Sequence, residues 1–178
     1  MAMQLSPARG GFLRPFGCGW FIREFLLGNG PEGSKAIDPH VGAAQADINY
    51  EYKEALARAT ARERAERIIS RMVLSHADVT EEEADKIYQR ELRRTSRKFT
   101  HMRYHSFLMY FAVLKRLGWV EATKQTEPSA IQDNYPEAPA LAYYRLTKVG
   151  IEAGEQPWQN PLFTLYPEIG PSHTKKSD

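Results

Sequence analysis

The segment from Phe99 to Ile151 constrains the fold more than any other part of this chain. It reads as an aromatic-rich helix that stops at a glycine, then a strand, a proline-broken loop and a second strand. The spacing predicts a helix over about His101 to Leu117, with Thr100 placed to cap its first amides. Gly118 follows, the residue type that most easily takes the left-handed backbone ending a helix. Trp119-Val120-Glu121 opens an extended segment and Leu141 to Thr147 returns from it. Between them, Lys124 to Pro139 contains Pro128, Pro136 and Pro139, which excludes regular structure there. The expected class is mainly α with a small, long-tipped β-hairpin.

Composition sets few further bounds. A chain of 178 residues, 42% hydrophobic and 11% aromatic, is long and apolar enough to bury a core. Its one cysteine, Cys18, excludes an internal disulfide framework and fits a reducing compartment. No apolar run approaches the ~20 residues that span a bilayer. The run Gly17 to Ile22 is broken by Arg23-Glu24 and lacks a small-residue cleavage site, so the expectation is a cytoplasmic protein with no membrane partner.

The net charge of +2 is spread unevenly. Residues 80–120 carry nine basic and five acidic side chains, whereas 121–178 carry five and eight. The cations concentrate further between Arg90 and His105, where Arg90, Arg93, Arg94, Arg97, Lys98 and Arg103 face Glu91 alone. A local +5 is the chain's main electrostatic feature and its first candidate for nucleic-acid contact.

Three regions surround that feature. Residues 1–46 form an apolar N-terminal helix, from Gly17 on, and a turn-rich linker through Gly28-Asn29-Gly30-Pro31-Glu32-Gly33-Ser34. The helix is apolar on more than one side and must be covered, which marks Trp20, Phe21 and Phe25 as partner-binding candidates. Residues 47–155 begin with a helix from an Asp47 cap to about His76, whose middle, Arg58 to Arg67, has almost no large apolar group and reads as solvent-exposed or bridging. Thr80-Glu81-Glu82-Glu83 is a capping box opening a further helix, with Ala84, Ile87, Tyr88 and Leu92 inward. Acidic groups at its start and basic groups at its end suit the helix dipole without any ligand. Residues 156–178 carry Trp158, Phe163 and three prolines between Pro157 and Pro167, an extended, sticky arm with Trp158 and Phe163 as further partner-binding candidates.

Leu114-Lys115-Arg116-Leu117-Gly118-Trp119-Val120-Glu121 and Tyr144-Arg145-Leu146-Thr147-Lys148-Val149-Gly150 resemble the signature L-x-x-L-G-[WL]-[VI]-E … Y-x-L-T-x-x-G of winged-helix regulators such as the MarR-like and PadR-like families. The resemblance spans about a third of the chain and implies a winged helix-turn-helix flanked by the N-terminal helix and the C-terminal arm. It implies that the helix from His101 lies in the major groove and that the preceding basic helix meets phosphates. Carried onto this chain, His101, Met102, His105 and Met109 face the groove, with Arg103 in the same basic stretch. Arg90, Arg93, Arg94, Arg97 and Lys98 meet phosphates, and Lys124 is a wing contact. On a helix, His101, His105, Ala112 and Arg116 lie opposite Phe107, Phe111 and Leu114.

The expected function is duplex DNA binding by a dimeric regulator or accessory factor. The alternative is a non-catalytic interaction subunit of a larger assembly. It draws on the wing loop, which nets −2 over Lys124 to Pro139, and on the unbroken apolar run Phe107 to Phe111. No enzyme, cofactor or metal is expected. His101 and His105 stand four apart but lack the H-E-x-x-H pattern and a third ligand; Cys18 reads as a buried inert thiol; Gly28 to Gly33 has no preceding strand and reads as a turn.

Overall fold

The computed structural model describes residues 14–96, 104–127 and 141–170. Helix α1 spans Cys18–Leu26 and a 3-10 turn covers Pro31–Gly33, followed by strand β1 at Ala43–Ala44. Helices α2 (Gln45–Leu74), α3 (Glu81–Arg94) and α4 (Tyr104–Arg116) come next, then strands β2 (Val120–Glu127) and β3 (Leu141–Leu146). Three five-residue helices, α5 (Lys148–Glu152), α6 (Glu155–Gln159) and α7 (Pro161–Leu165), and a 3-10 turn at Pro167–Ile169 complete the described chain. The protein is mostly helical, with one small antiparallel sheet in the order β1-β3-β2.

One apolar cluster joins both ends of the chain. Phe21, Ile22, Phe25 and Leu26 of α1 pack with Ile48, Tyr52, Leu56 and Ala59 of α2, with Phe107, Phe111 and Leu114 of α4, and with Trp119 and Trp158. The rings of Phe21 and Phe25 stack at 5.6 Å, and Phe21 lies 5.2 Å from Tyr52. At roughly 1.5–3 kcal/mol for each large apolar side chain fully buried, this cluster is the main source of stability. The N-terminal helix is therefore covered by its own chain. Phe21 and Phe25 are 0% and 1% exposed and Trp158 is 0% exposed, so these three partner-binding candidates have no surface to offer a partner. Residues 18–26 belong to the same core as the body that follows.

The middle of α2 is packed rather than solvated. Ala57, Ala59, Ala61 and Ala65 are buried, and α3 lies along this stretch with Ile87 and Glu91 turned in. Alanine lets a neighbouring helix approach closely, so a segment poor in large apolar groups still forms an interface. Helix α2 begins at Gln45, after Ala44, two residues before the expected Asp47 cap, because pairing of Ala43 and Ala44 with β3 sets its start. The Thr80–Glu83 capping box forms in both directions, with the Glu83 amide on the Thr80 hydroxyl at 3.2 Å and the Thr80 amide on the Glu83 carboxylate at 3.1 Å.

The C-terminal segment is helical rather than extended. Pro161 stands in the first turn of α7 and Pro157 in the first turn of α6, where a missing N–H costs nothing. Gly19 admits this segment. A Cβ there would overlap the Trp158 carbonyl oxygen and lie 2.6 Å from the Tyr110 hydroxyl, so only glycine lets α1 meet α6 this closely.

Candidate nucleic-acid interface

The resembling motif forms one connected lock. Gly118 ends α4 with φ +69°, and the Trp119 amide reaches back to the Leu114 carbonyl at 3.0 Å. Val120 then pairs with Leu146, and Glu121 with Arg145, whose side chains form an ion pair at 2.8 Å. At the far end of β3, the Thr147 hydroxyl donates to the Gly118 carbonyl and accepts from the Gly150 amide at 3.0 Å, capping α5. The Thr147 amide bonds the Trp119 carbonyl at 3.0 Å. A Cβ at Gly150 would fall on that same carbonyl. The Trp158 indole N–H closes the lock on the Gly150 carbonyl at 2.8 Å, its ring 4.8 Å from Trp119. Leucine, glycine, tryptophan, threonine and glycine at this spacing fix the hairpin against the end of α4.

That lock orients α4. Phe107, Phe111 and Leu114 are fully buried, whereas Tyr104, His105, Ser106 and Met109 are exposed, Met109 at 61%. The apolar run Phe107 to Phe111 therefore does not bury the helix all round. Further along, the open face is partly roofed by the C-terminal segment, which packs on α4 through α7 and sets the Tyr166 ring 5.6 Å from the Arg116 guanidinium. The first two described turns carry an uncovered surface through Tyr104 to Ser106 and Met109, and the last turn adds exposed Lys115 and Arg116.

The basic candidates divide into three groups. Arg90, Arg93 and Arg94 are exposed on the last turns of α3. Two of them lean on Glu91, Arg90 at 3.3 Å and Arg94 at 3.8 Å, so this buried carboxylate neutralises part of the patch. Lys124 is exposed on β2, where it lines a shallow groove with His40, Glu121 and Arg145. Arg97, Lys98, His101, Met102 and Arg103 lie outside the described residues, and of the loop expected from Lys124 to Pro139 the residues 124–127 are strand instead, paired with β3, while 128–139 lie outside the described residues. His40 and Arg145 join this surface from the linker and β3, and no local pattern in the sequence singles them out. Of the other partner-binding candidates, Trp20 is half-buried against Phe16 at 5.1 Å and Phe163 is half-buried beside Gly170.

The expected pairing of α3 with α4 needs correction. Helix α3 packs along α2 and contributes no residue to the central cluster; the helix sharing a core with α4 is the first half of α2, through Ile48, Tyr52 and Leu56. The second half of α2 and α3 form a helical hairpin inserted in the chain between that helix and α4.

Cys18 is buried, and desolvation pushes its thiol well above the ordinary 9.0, with Arg14 only partly opposing the shift. Burial likewise raises the hydroxyls of Tyr52 and Tyr110. None of the three is poised for proton transfer near neutral pH. Among the described residues no cluster of three metal-ligating side chains occurs, and no helix is long and apolar enough to cross a membrane. Comparison with protein-family models, with curated proteins and with solved structures finds no match to this chain.

Proposed function

We propose that this chain is a winged-helix protein that binds duplex DNA as a regulator or accessory factor, through the opening turns of α4 and the basic end of α3. The observation that carries the reading is the asymmetry of α4. One face is wholly buried, and the opposite face is open at its N-terminal end, through His105 and Met109. A recognition helix uses its N-terminal residues at base edges, and the contact of Tyr166 with Arg116 in the last turn leaves that part of α4 free. Exposed Arg90, Arg93 and Arg94 open the basic stretch Arg90 to His105 that leads into α4, and their charge suits phosphate contacts. The hairpin that follows α4 directly, with β1 as its third strand, supports the winged-helix topology.

The inserted α2–α3 hairpin favours a second reading, an interaction subunit. At its turn Val73 and Leu74 are 55% and 81% exposed, a small apolar tip that suits a protein neighbour or a second copy. The two readings part on one variant. Replacing Arg93 and Arg94 with alanine should weaken binding to any duplex and lower the salt slope by about 1 for each phosphate no longer neutralised. Binding and slope equal to those of the unaltered protein would remove α3 from the interface.

A further inference from the structure

Beside the core, between the Pro31–Gly33 turn and the α2–α3 hairpin, lies a cavity of about 600 Å³ that is broadly open to solvent. Its wall is apolar along Ile69, Ala84 and Tyr88, and Glu32, Arg58, Arg62 and Glu66 supply its charge. This size and lining, mostly apolar with a few convergent polar groups, is the range in which small ligands bind.

The two arginines both hold Glu32, one by its side chain and one by its main chain. Arg62 gives Nη1 and Nη2 to the two oxygens of Glu32 at 2.5 and 2.9 Å, the two-pronged geometry by which a guanidinium selects a carboxylate. Arg58 gives its Nε to the Glu32 main-chain carbonyl at 2.6 Å, while its Nη2 is buried with no acceptor among the described residues. The turn carrying Glu32 thus covers a second guanidinium without satisfying it, which is costly for a charged donor. Glu32 also sits at φ +53°, in the left-handed region where a side chain is strained. A strained turn that lays its carboxylate on Arg62 and its main-chain carbonyl on Arg58, at the edge of an apolar cavity, has the features of a built-in occupant.

We propose that the cavity binds a small organic monocarboxylate with an apolar body, whose acid group displaces Glu32 from Arg62. The incoming carboxylate takes over the Arg62 fork, the turn relaxes, and movement of that turn exposes Arg58 Nη2 to an acceptor. The ring or hydrocarbon body lies along Ile69, Ala84 and Tyr88. Glu66, 3.9 Å from Arg62 Nε and exposed, disfavours a second negative charge on the ligand. This site is independent of the DNA-binding reading.

The test uses phenylacetate as the probe and phenylacetamide as its neutral counterpart, titrated into the full chain by calorimetry, with the Tyr88 ring followed by NMR. Glu32→Gly removes the built-in carboxylate and suits the left-handed backbone, so that variant folds. It should bind phenylacetate at least tenfold more tightly than the unaltered protein, with the Tyr88 resonances shifting. Arg62→Ala should abolish saturable binding, and phenylacetamide should not bind. Absence of saturable phenylacetate binding to Glu32→Gly would overturn the proposal and reduce the Glu32–Arg62 pair to a tie between linker and helix. So would equal binding by Arg62→Ala or by the amide.

Discussion

Replacing Gly150 with alanine sets two physical effects against each other. Gly150 lies within helix α5, where alanine is preferred over glycine by about 1 kcal/mol, so helix propensity alone predicts a more stable protein. Packing predicts the opposite. The new methyl would fall on the Trp119 carbonyl oxygen and within 2.9 Å of its carbonyl carbon and Cα. The backbone has little room to retreat, because the Thr147 amide already bonds that carbonyl and the Trp158 indole holds the Gly150 carbonyl at 2.8 Å. Overpacking of this kind costs about 1–3 kcal/mol, and a buried indole N–H left without its acceptor costs about 1–3 kcal/mol more. Offset by the helix preference, the net loss is about 1–5 kcal/mol, which lowers Tm by roughly 2–20 °C in a chain of this size. Thermal unfolding by circular dichroism, with urea titration beside it, reads this directly. An unchanged or higher Tm would refute the lock between the end of α4 and the turn after β3.

Three other outcomes follow from the same geometry. His76 ends α2 at φ +62°, with the Ala77 amide on the Met72 carbonyl at 3.1 Å and its own amide on Val73 at 3.0 Å, so His76→Gly should stabilise the protein by about 0.5–1 kcal/mol in urea titration; destabilisation would argue for an unrecognised role of the imidazole. Thr80→Ala removes the hydroxyl half of the capping box and should cost about 1 kcal/mol, largely recovered by Ser at the same position. Stability should fall steeply in alkali: Cys18, Tyr52 and Tyr110 keep their protons in the folded state, while the unfolded chain loses them near the ordinary values of 9.0 and 10.0. Their contribution is intact below pH 9 and lost above it at about 1.4 kcal/mol per group and pH unit, and a flat urea midpoint from pH 8 to 10.5 would contradict their burial.

The features legible in the sequence are those fixed by local chemistry. The capping box at Thr80, the stop at Gly118, the long α2 and the existence of the hairpin each follow from a few adjacent residues, whereas the run of β2 through Lys124 to Glu127 is set by its pairing with β3. Features that depend on partners distant in the chain are not legible there. Strand β1 is only Ala43–Ala44, residues with no strand preference, and exists because Tyr143 and Tyr144 pair with it; Gly42 admits the Tyr144 carbonyl where any Cβ would overlap it. The alanines of α2 look like a solvated stretch until α3 lies along them. Apolar faces on α1 and at Trp158 invite a partner in the sequence, yet each covers the other across Gly19. For the candidate site, the exposed arginines of α3 and His105 on α4 are legible as charge and helical phase. The carboxylate of Glu91 beneath Arg90 and Arg94, and the packing of α3 on α2, require three dimensions.

Contact of duplex DNA with the open turns of α4 and the basic end of α3 is read by fluorescence anisotropy of a mixed-sequence duplex with the purified protein. Two salt concentrations, about 50 and about 200 mM, bracket the range over which phosphate contacts reveal themselves. Phosphate contact there gives tight binding at the lower salt that weakens by orders of magnitude at the higher. Absence of binding at both would contradict it and turn attention to the exposed tip at Val73 and Leu74 as the docking surface for a protein partner.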